Sequence, residues 1–418
     1  MGAARLIFCA TAVSTLDTNS STTSAMRTRY RNGMKVISTT SELSDFCQTV
    51  SRHPYVAVDT EFMRETTFWP KLCLIQMAAP GLEAVVDPMA KGLDLAPFFQ
   101  LMGEDRIVKV FHAARQDVEI IYVLAKLIPR PLFDTQVAAM VCGFGESVSY
   151  VNLVKQIANA DIDKSSRFTD WSRRPLSTKQ LQYALGDVTH LRDVYSHLKG
   201  QLERTGRATW LDEEMAILSA PESYHTPPEE SWRRVKMRVR SRKAFAVLIE
   251  LAAWRERVAQ GQDVPRNRVL RDEALIDIAT HAPVDVAALS ELRTLSDGFA
   301  RSSRAKEIID AVKAGLARDP KTLPQQDAQI VVPPDKQALV ELLKVLLKAS
   351  AARHGVAPRL VADSSDLDRL AMEKAPDIPA LKGWRRDLFG EDALRLKAGE
   401  LAITVSGGEI ALVPSRSQ

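Results

Sequence analysis

Cysteines and aromatic side chains are scarce in this sequence, with 4 Cys and a 6% share of Phe, Trp and Tyr in 418 residues. Cys9, Cys47, Cys73 and Cys142 show neither paired nor metal-ligand spacing, which excludes a disulfide-stapled scaffold and a zinc-ribbon site. Cys73 and Cys142 lie in apolar runs, as small buried hydrophobes do, and a reducing cytoplasm is the expected compartment. No stretch approaches the roughly 20 apolar residues that span a bilayer, so no membrane partner is expected. Charge of one sign is also missing, since 56 Lys and Arg against 52 Asp and Glu leave only +4. The chain is nonetheless too long for one ordinary core, and two or three domains are expected.

The small net charge hides an uneven distribution. Residues 231–318 carry 18 basic and 11 acidic side chains, an excess of seven, and Trp232 to Lys243 holds seven basic residues without an acid. Such a run is an electrostatic footprint for phosphate, and a solvated helical face is the competing reading.

Residues 1–33 combine a short apolar run with a Ser/Thr-rich, patternless segment and are expected to be disordered or to precede the true start at Met34. From Met34 a strand and a capped helix are followed by YVAVDTEF, KLCLIQMAA and EAVVDP, which predict a three-stranded antiparallel meander. IVKVFHAA then predicts a strand running into an amphipathic helix, and the pattern is largely helical from Thr135 to about Leu202. Strands first and helices after predict an α/β catalytic domain over 34–205, built on one mixed sheet with flanking helices. Residues 206–230, ending in TPPEE, read as a linker, 231–318 as a helical domain, 319–335 as a second linker, and 336–413 as a second all-α unit of similar length.

Asp59 and Glu61 occupy positions i and i+2 of the strand VAVDTEF and therefore share one face. Two acids on an otherwise apolar strand repel each other unless a cation neutralises them. An exposed edge strand is the competing reading of the pair alone. Asp117 stands in the first turns of the helix after IVKVFHAA, and Tyr183 and Asp187 lie four apart on a helix opened by Ser177. Four carboxylates from a strand, a strand-to-helix junction and a late helix suit a two-metal phosphoryl-transfer site, with ions roughly 4 Å apart. Oxygen-only ligation selects Mg²⁺ or Mn²⁺ over zinc. Tyr183, whose hydroxyl both donates and accepts, is the candidate to orient an attacking water, and no nucleophile–base pair suggests a covalent intermediate.

These segments resemble known motifs. VDTEFMRETTFWPKLCLIQ, HAARQDVEII, FDTQVAAMVCG and DWSRRPLSTKQLQYALGDV are similar, in order, to the motifs of DEDD 3′–5′ exonucleases of the tyrosine subclass, specifically the bacterial ribonuclease D family. The helical units resemble HRDC domains, the first more clearly through DVPRNRVLRDEAL. The resemblance implies a ribonuclease H-like fold and two divalent ions held by Asp59, Glu61, Asp117 and Asp187, with Tyr183 and Glu61 in catalytic roles. It also implies release of 5′-mononucleotides from RNA 3′ ends, tRNA precursors being typical substrates. A DNA exonuclease of the same superfamily and a non-catalytic RNA-binding protein are the competing functions.

Candidate substrate contacts are Thr60, Phe62, Arg64 and Trp69 on and after the acidic strand, Gln76 on the next strand, His112 before Asp117, and Arg173 and Arg174 before the third motif. Aromatic stacking tolerates any base, and arginine suits phosphate. Core packing for Phe62 and a structural role for His112 compete with these assignments. The protein is expected to work as a monomer.

Overall fold

The computed structural model describes residues 29–31, 34–163, 165–300, 302–325 and 331–415. A seven-stranded sheet organises the first part. Its strands are β1 (Arg29–Arg31), β2 (Met34–Ile37), β3 (Tyr55–Met63), β4 (Lys71–Ala79), β5 (Leu82–Val86), β6 (Val108–Phe111) and β7 (Leu132–Asp134), in the spatial order β1-β2-β5-β4-β3-β6-β7. The expected meander is the antiparallel set β3-β4-β5, while β2 joins β5, β6 joins β3 and β7 joins β6 in parallel. The sheet is therefore mixed, as the order of strand and helix signals requires.

The helices are α1 (Thr40–Val50), α2 (Ala96–Met102), α3 (Arg115–Ala125), α4 (Thr135–Val141), α5 (Tyr150–Ala158), α6 (Thr178–Thr205) and α7 (Ala208–Leu218). The 28-residue α6 starts at a capping box, in which the Ser177 side chain accepts from Gln180 N and the Gln180 side chain from Ser177 N. Leu181, Ala184, Leu185, Val188, Leu191, Val194 and Leu198 recur at helical spacing and are buried.

Helices also dominate the rest. The first helical unit contains α8 (Arg242–Gly261), α9 (Arg266–Val269) and α10 (Asp272–His281), and its core holds Phe245, Leu248, Leu251, Leu275 and Ile308. The second begins with the same succession, a long helix (Pro334–His354), a one-turn helix (Pro358–Val361) and a third helix (Ser364–Met372). It has a separate core around Leu343, Leu346, Leu370 and Phe389.

Three expectations about boundaries change. Residues 1–28 and 32–33 of the expected disordered extension lie outside the described residues, but Arg29–Arg31 forms a strand antiparallel to β2. The expected linker 206–230 contains α7, whose Leu211 and Met215 are buried in the core of the sheet domain; its apolar positions were outweighed in the sequence by the Pro-rich end. The tail is not helical to residue 413. Leu401–Ser406 and Glu409–Pro414 pair as a β-hairpin across Gly407 and Gly408, both at positive φ, the turn chemistry that primed hairpin turns demand. Of the second expected linker, residues 326–330 lie outside the described residues.

The helical units are docked onto the sheet domain. Trp210 of α7 stacks on Trp384 at 4.4 Å and 8° between planes. Arg385, 8% exposed, pairs with Glu213 at 2.7 Å and also with Glu214.

Candidate active site

Strand β3 presents Asp59 and Glu61 on the face that α6 covers, and α6 returns Asp187 to the same place. Carboxylate oxygens of Asp59, Glu61 and Asp187 all lie within 4.8 Å of one another. Burial pushes all three carboxyls up, Glu61 to about 9 and Asp187 to about 7, and the charges of their acidic neighbours raise Asp59 and Glu61 further. For Asp187, the Tyr183 hydroxyl and the Arg167 guanidinium partly offset the burial. Crowded, desolvated acids of this kind are a hard-oxygen donor set, and its chemistry fits a divalent cation.

Asp117, in the first turn of α3, stands outside that group of three but feels the charge of Asp59, and burial raises its carboxyl as well. Its Oδ1 accepts from the Thr60 hydroxyl at 2.5 Å. Thr60 therefore orients an acid instead of lining the cleft. The turn that delivers Asp117 is itself fixed by Asp134 at the end of β7. The Asp134 carboxylate accepts from Ala113 N at 3.0 Å and Ala114 N at 2.8 Å, and caps α4 through Gln136 N at 2.8 Å.

A cleft of about 340 Å³ opens over the acids, lined in part by Asp59, Glu61, His112, Tyr150, Arg167, Tyr183 and Asp187. Tyr183 is half-buried beside Trp171, with ring centroids 5.9 Å apart. Burial and the neighbouring carboxylates push its phenol well up, so it keeps its proton. His112 is pushed down to about 4 by burial and is therefore neutral at pH 7. Its Nδ1 meets the Thr135 hydroxyl at 3.0 Å, while Nε2 has no protein partner.

The other sequence-predicted contacts divide. Gln76 lies opposite Asp59 in the β3–β4 register, fully buried, with no partner for either amide atom. Phe62 is half-buried at a bulge in β3. Trp69 is 36% exposed in the β3–β4 loop, away from the cleft lining and against the first helical unit. Arg64 is taken by Glu119 in two bonds of 2.8 Å. Arg173 is exposed and pairs with Asp170 at 3.2 Å. Arg174 points inward, to both Asp87 oxygens at 2.7 and 2.8 Å and to the Cys73 carbonyl at 2.6 Å. A guanidinium so occupied holds the fold together, and the expectation that Arg174 contacts phosphate is corrected.

Sequence reasoning passed over Tyr150 and Arg167, both in the cleft. Tyr150 donates to the Gly186 carbonyl at 3.1 Å, but in sequence it is one apolar residue after an N-cap serine. Arg167 stands in an irregular segment with no periodicity to orient it.

Residues 34–203 match the family model for a 3′–5′ exonuclease and residues 244–312 that for an HRDC domain. A ribonuclease D of Nitrobacter hamburgensis is 51% identical over 91% of this chain and 99% of that protein. One from Gluconacetobacter diazotrophicus is 49% identical over 91% and 97%. The chain belongs to the ribonuclease D family. Enzymes of this family are 3′–5′ exoribonucleases, and the mixed sheet, the acidic cleft and the HRDC domain are the family's parts. The crystal structure of Escherichia coli RNase D, titled an exoribonuclease involved in structured RNA processing, superposes with a TM-score of 0.76 at 28% identity, covering 87% of this chain and 98% of that one. Among the described residues no helix is long and apolar enough to cross a membrane.

Proposed function

We propose that this enzyme shortens RNA from its 3′ end, releasing 5′-mononucleotides by hydrolysis with two divalent ions, Mg²⁺ or Mn²⁺. The observation that carries the reading is the convergence of Asp59, Glu61 and Asp187 within 4.8 Å beneath a cleft that also holds Tyr183. Asp59, Glu61 and Asp187 would hold one ion, and Asp117 with Asp59 the other. Bound there, the ions supply positive charge to the scissile phosphate and acidify water. Tyr183 keeps its proton, so its hydroxyl can donate to one partner while accepting from the attacking water. Glu61, whose charge reaches the Tyr183 phenol, is assigned the role of receiving the water's proton once a bound cation holds it ionised. Neutral His112, part of the cleft lining, is assigned a contact to sugar or base. Tyr150 fixes the helix that carries Asp187 through the Gly186 carbonyl.

Precursor tRNA 3′ ends are the proposed substrates, taken by a monomer in the cytoplasm. The E. coli neighbour's role in structured RNA processing supports the substrate class, and three free, buried thiols suit a reducing compartment. The test compares matched RNA and DNA oligonucleotides with Mg²⁺ and with chelator. Metal-dependent, stepwise shortening of RNA is expected; preference for DNA, or no shortening of either, overturns the proposal.

A further inference from the structure

The loop that joins β3 to β4, residues 64–70, is held from outside the sheet domain. Asp263 lies in the turn after α8, within the DVPRN segment, and its backbone adopts φ 49°, a conformation that Asp tolerates better than most residues. One oxygen of its carboxylate accepts from both Phe68 N and Trp69 N, each at 3.0 Å. Charge-assisted bonds from two successive amides fix the conformation of both residues.

The side chains follow the backbone. Phe68 is 7% exposed and belongs to the core of the first helical unit. The Arg266 guanidinium lies 4.4 Å from its ring centroid, and Glu256 of α8 holds that guanidinium through Nη2 at 2.6 Å. The other end of the loop is tied to the helix of Asp117, because Arg64 is bidentate to Glu119 of α3. Trp69 packs edge-on against Phe68 with centroids 4.7 Å apart and remains 36% exposed, a surface suited to stacking on a base.

We infer that Asp263 is a positioning residue for RNA cleavage: through the amides of Phe68 and Trp69 it makes the HRDC domain set the shape of the loop that connects the two central active-site strands. The inference rests on the reading of the acidic cleft as the cleavage site. It assigns the helical domain a task besides holding distant phosphates. That task is required even for substrates too short to reach the domain's basic surface.

The full-length wild type, Asp263→Ala and Asp263→Asn are compared on a trinucleotide and on a long single-stranded RNA of the same 3′ sequence, with Mn²⁺ present. Loss of the shared acceptor should raise KM about tenfold on both substrates, with kcat little changed. Asn retains an oxygen that accepts from the two amides and should recover most of the loss. A change confined to the long RNA, an unchanged trinucleotide KM, or an Asn variant as impaired as Ala would overturn the inference. Hydrogen exchange on the wild type tests the same point without a substitution: the Phe68 and Trp69 amides should exchange far more slowly than those of exposed Glu65 and Thr66, and equal rates would overturn it. Failure of the wild type to shorten RNA at all would strike the proposed function instead.

Discussion

Asp59 on β3 and Asp187 on α6 hold carboxylate oxygens within 4.8 Å of each other, although more than a hundred residues separate them in the chain. Each acid is half-buried, and the charge of Asp187 adds to desolvation in raising Asp59. Removing one negative charge therefore relieves repulsion while destroying the donor set. Asp59→Asn should leave the fold at least as stable in chelator and reduce cleavage by at least about a thousandfold. RNA affinity in chelator should be unchanged. Melting curves, nuclease assays and binding titrations on the same samples check the three parts, and retained cleavage would contradict a metal role for Asp59.

The raised carboxyls also set a pH dependence. Glu61 is pushed up to about 9 and Asp187 to about 7, against roughly 4 for free carboxyls. Between those limits the folded protein binds more protons than the unfolded chain, so stability falls as pH rises. In chelator the stabilising contribution of these groups is complete below about pH 4 and is lost progressively as pH climbs through 7 and 9. Added Mg²⁺ should reverse the slope, because it prefers the ionised acids. Melting temperatures from pH 5 to 9, with and without Mg²⁺, are the measurement; a flat chelated profile would mean that the acids are not crowded in solution.

Tyr183→Phe deletes one hydroxyl from the cleft without opening a cavity. Burial and the nearby carboxylates keep the phenol protonated, so its contribution is a hydrogen bond and not a negative charge. The variant should lose on the order of a hundredfold in kcat, the lower end for a positioned proton-transfer group. Its affinity for Mn²⁺ should fall only slightly, since the four carboxylates remain and Asp187 loses only the hydroxyl that favours its ionised form. Wild-type turnover would remove Tyr183 from the proposed chemistry.

The acidic centre was legible because its residues obey local rules. Asp59 and Glu61 share a strand face by period two, and Tyr183 and Asp187 share a helix face by period four, behind a capping box visible in the sequence. What escaped was set by tertiary contact. Nothing local marks Asp134 as the carboxylate that fixes the turn before Asp117, or Asp263 as an acceptor for amides almost two hundred residues earlier. The terminal hairpin was different: LAITVSGGEIALV alternates around Gly-Gly, a strand signal missed because the neighbouring helices suggested more of the same. Arginines were read least well, since a guanidinium is equally suited to phosphate and to a buried carboxylate, and only the fold decides which it meets.

Arg173 and Arg174 make that distinction measurable. Adjacent in sequence and both expected to meet phosphate, they point opposite ways. Arg173 is exposed with a surface partner, and Arg174 is bidentate to Asp87 with a third bond to the Cys73 carbonyl. Asp87 follows β5 and Cys73 lies within β4, so Arg174 pins the segment before α6 to two interior strands of the sheet. Truncation leaves Asp87 with the Met89 amide and no cation, and removes the guanidinium donor from that carbonyl. Arg174→Ala should cost roughly 2–4 kcal/mol in urea unfolding, while KM for RNA, measured per folded molecule, stays near wild type. Arg173→Ala should change stability by less than about 0.5 kcal/mol. If Arg173 meets the RNA backbone, its loss should instead raise KM and flatten the salt dependence of binding by about one phosphate contact. An Arg174 variant with full stability and weakened RNA binding would restore the phosphate role that its geometry excludes.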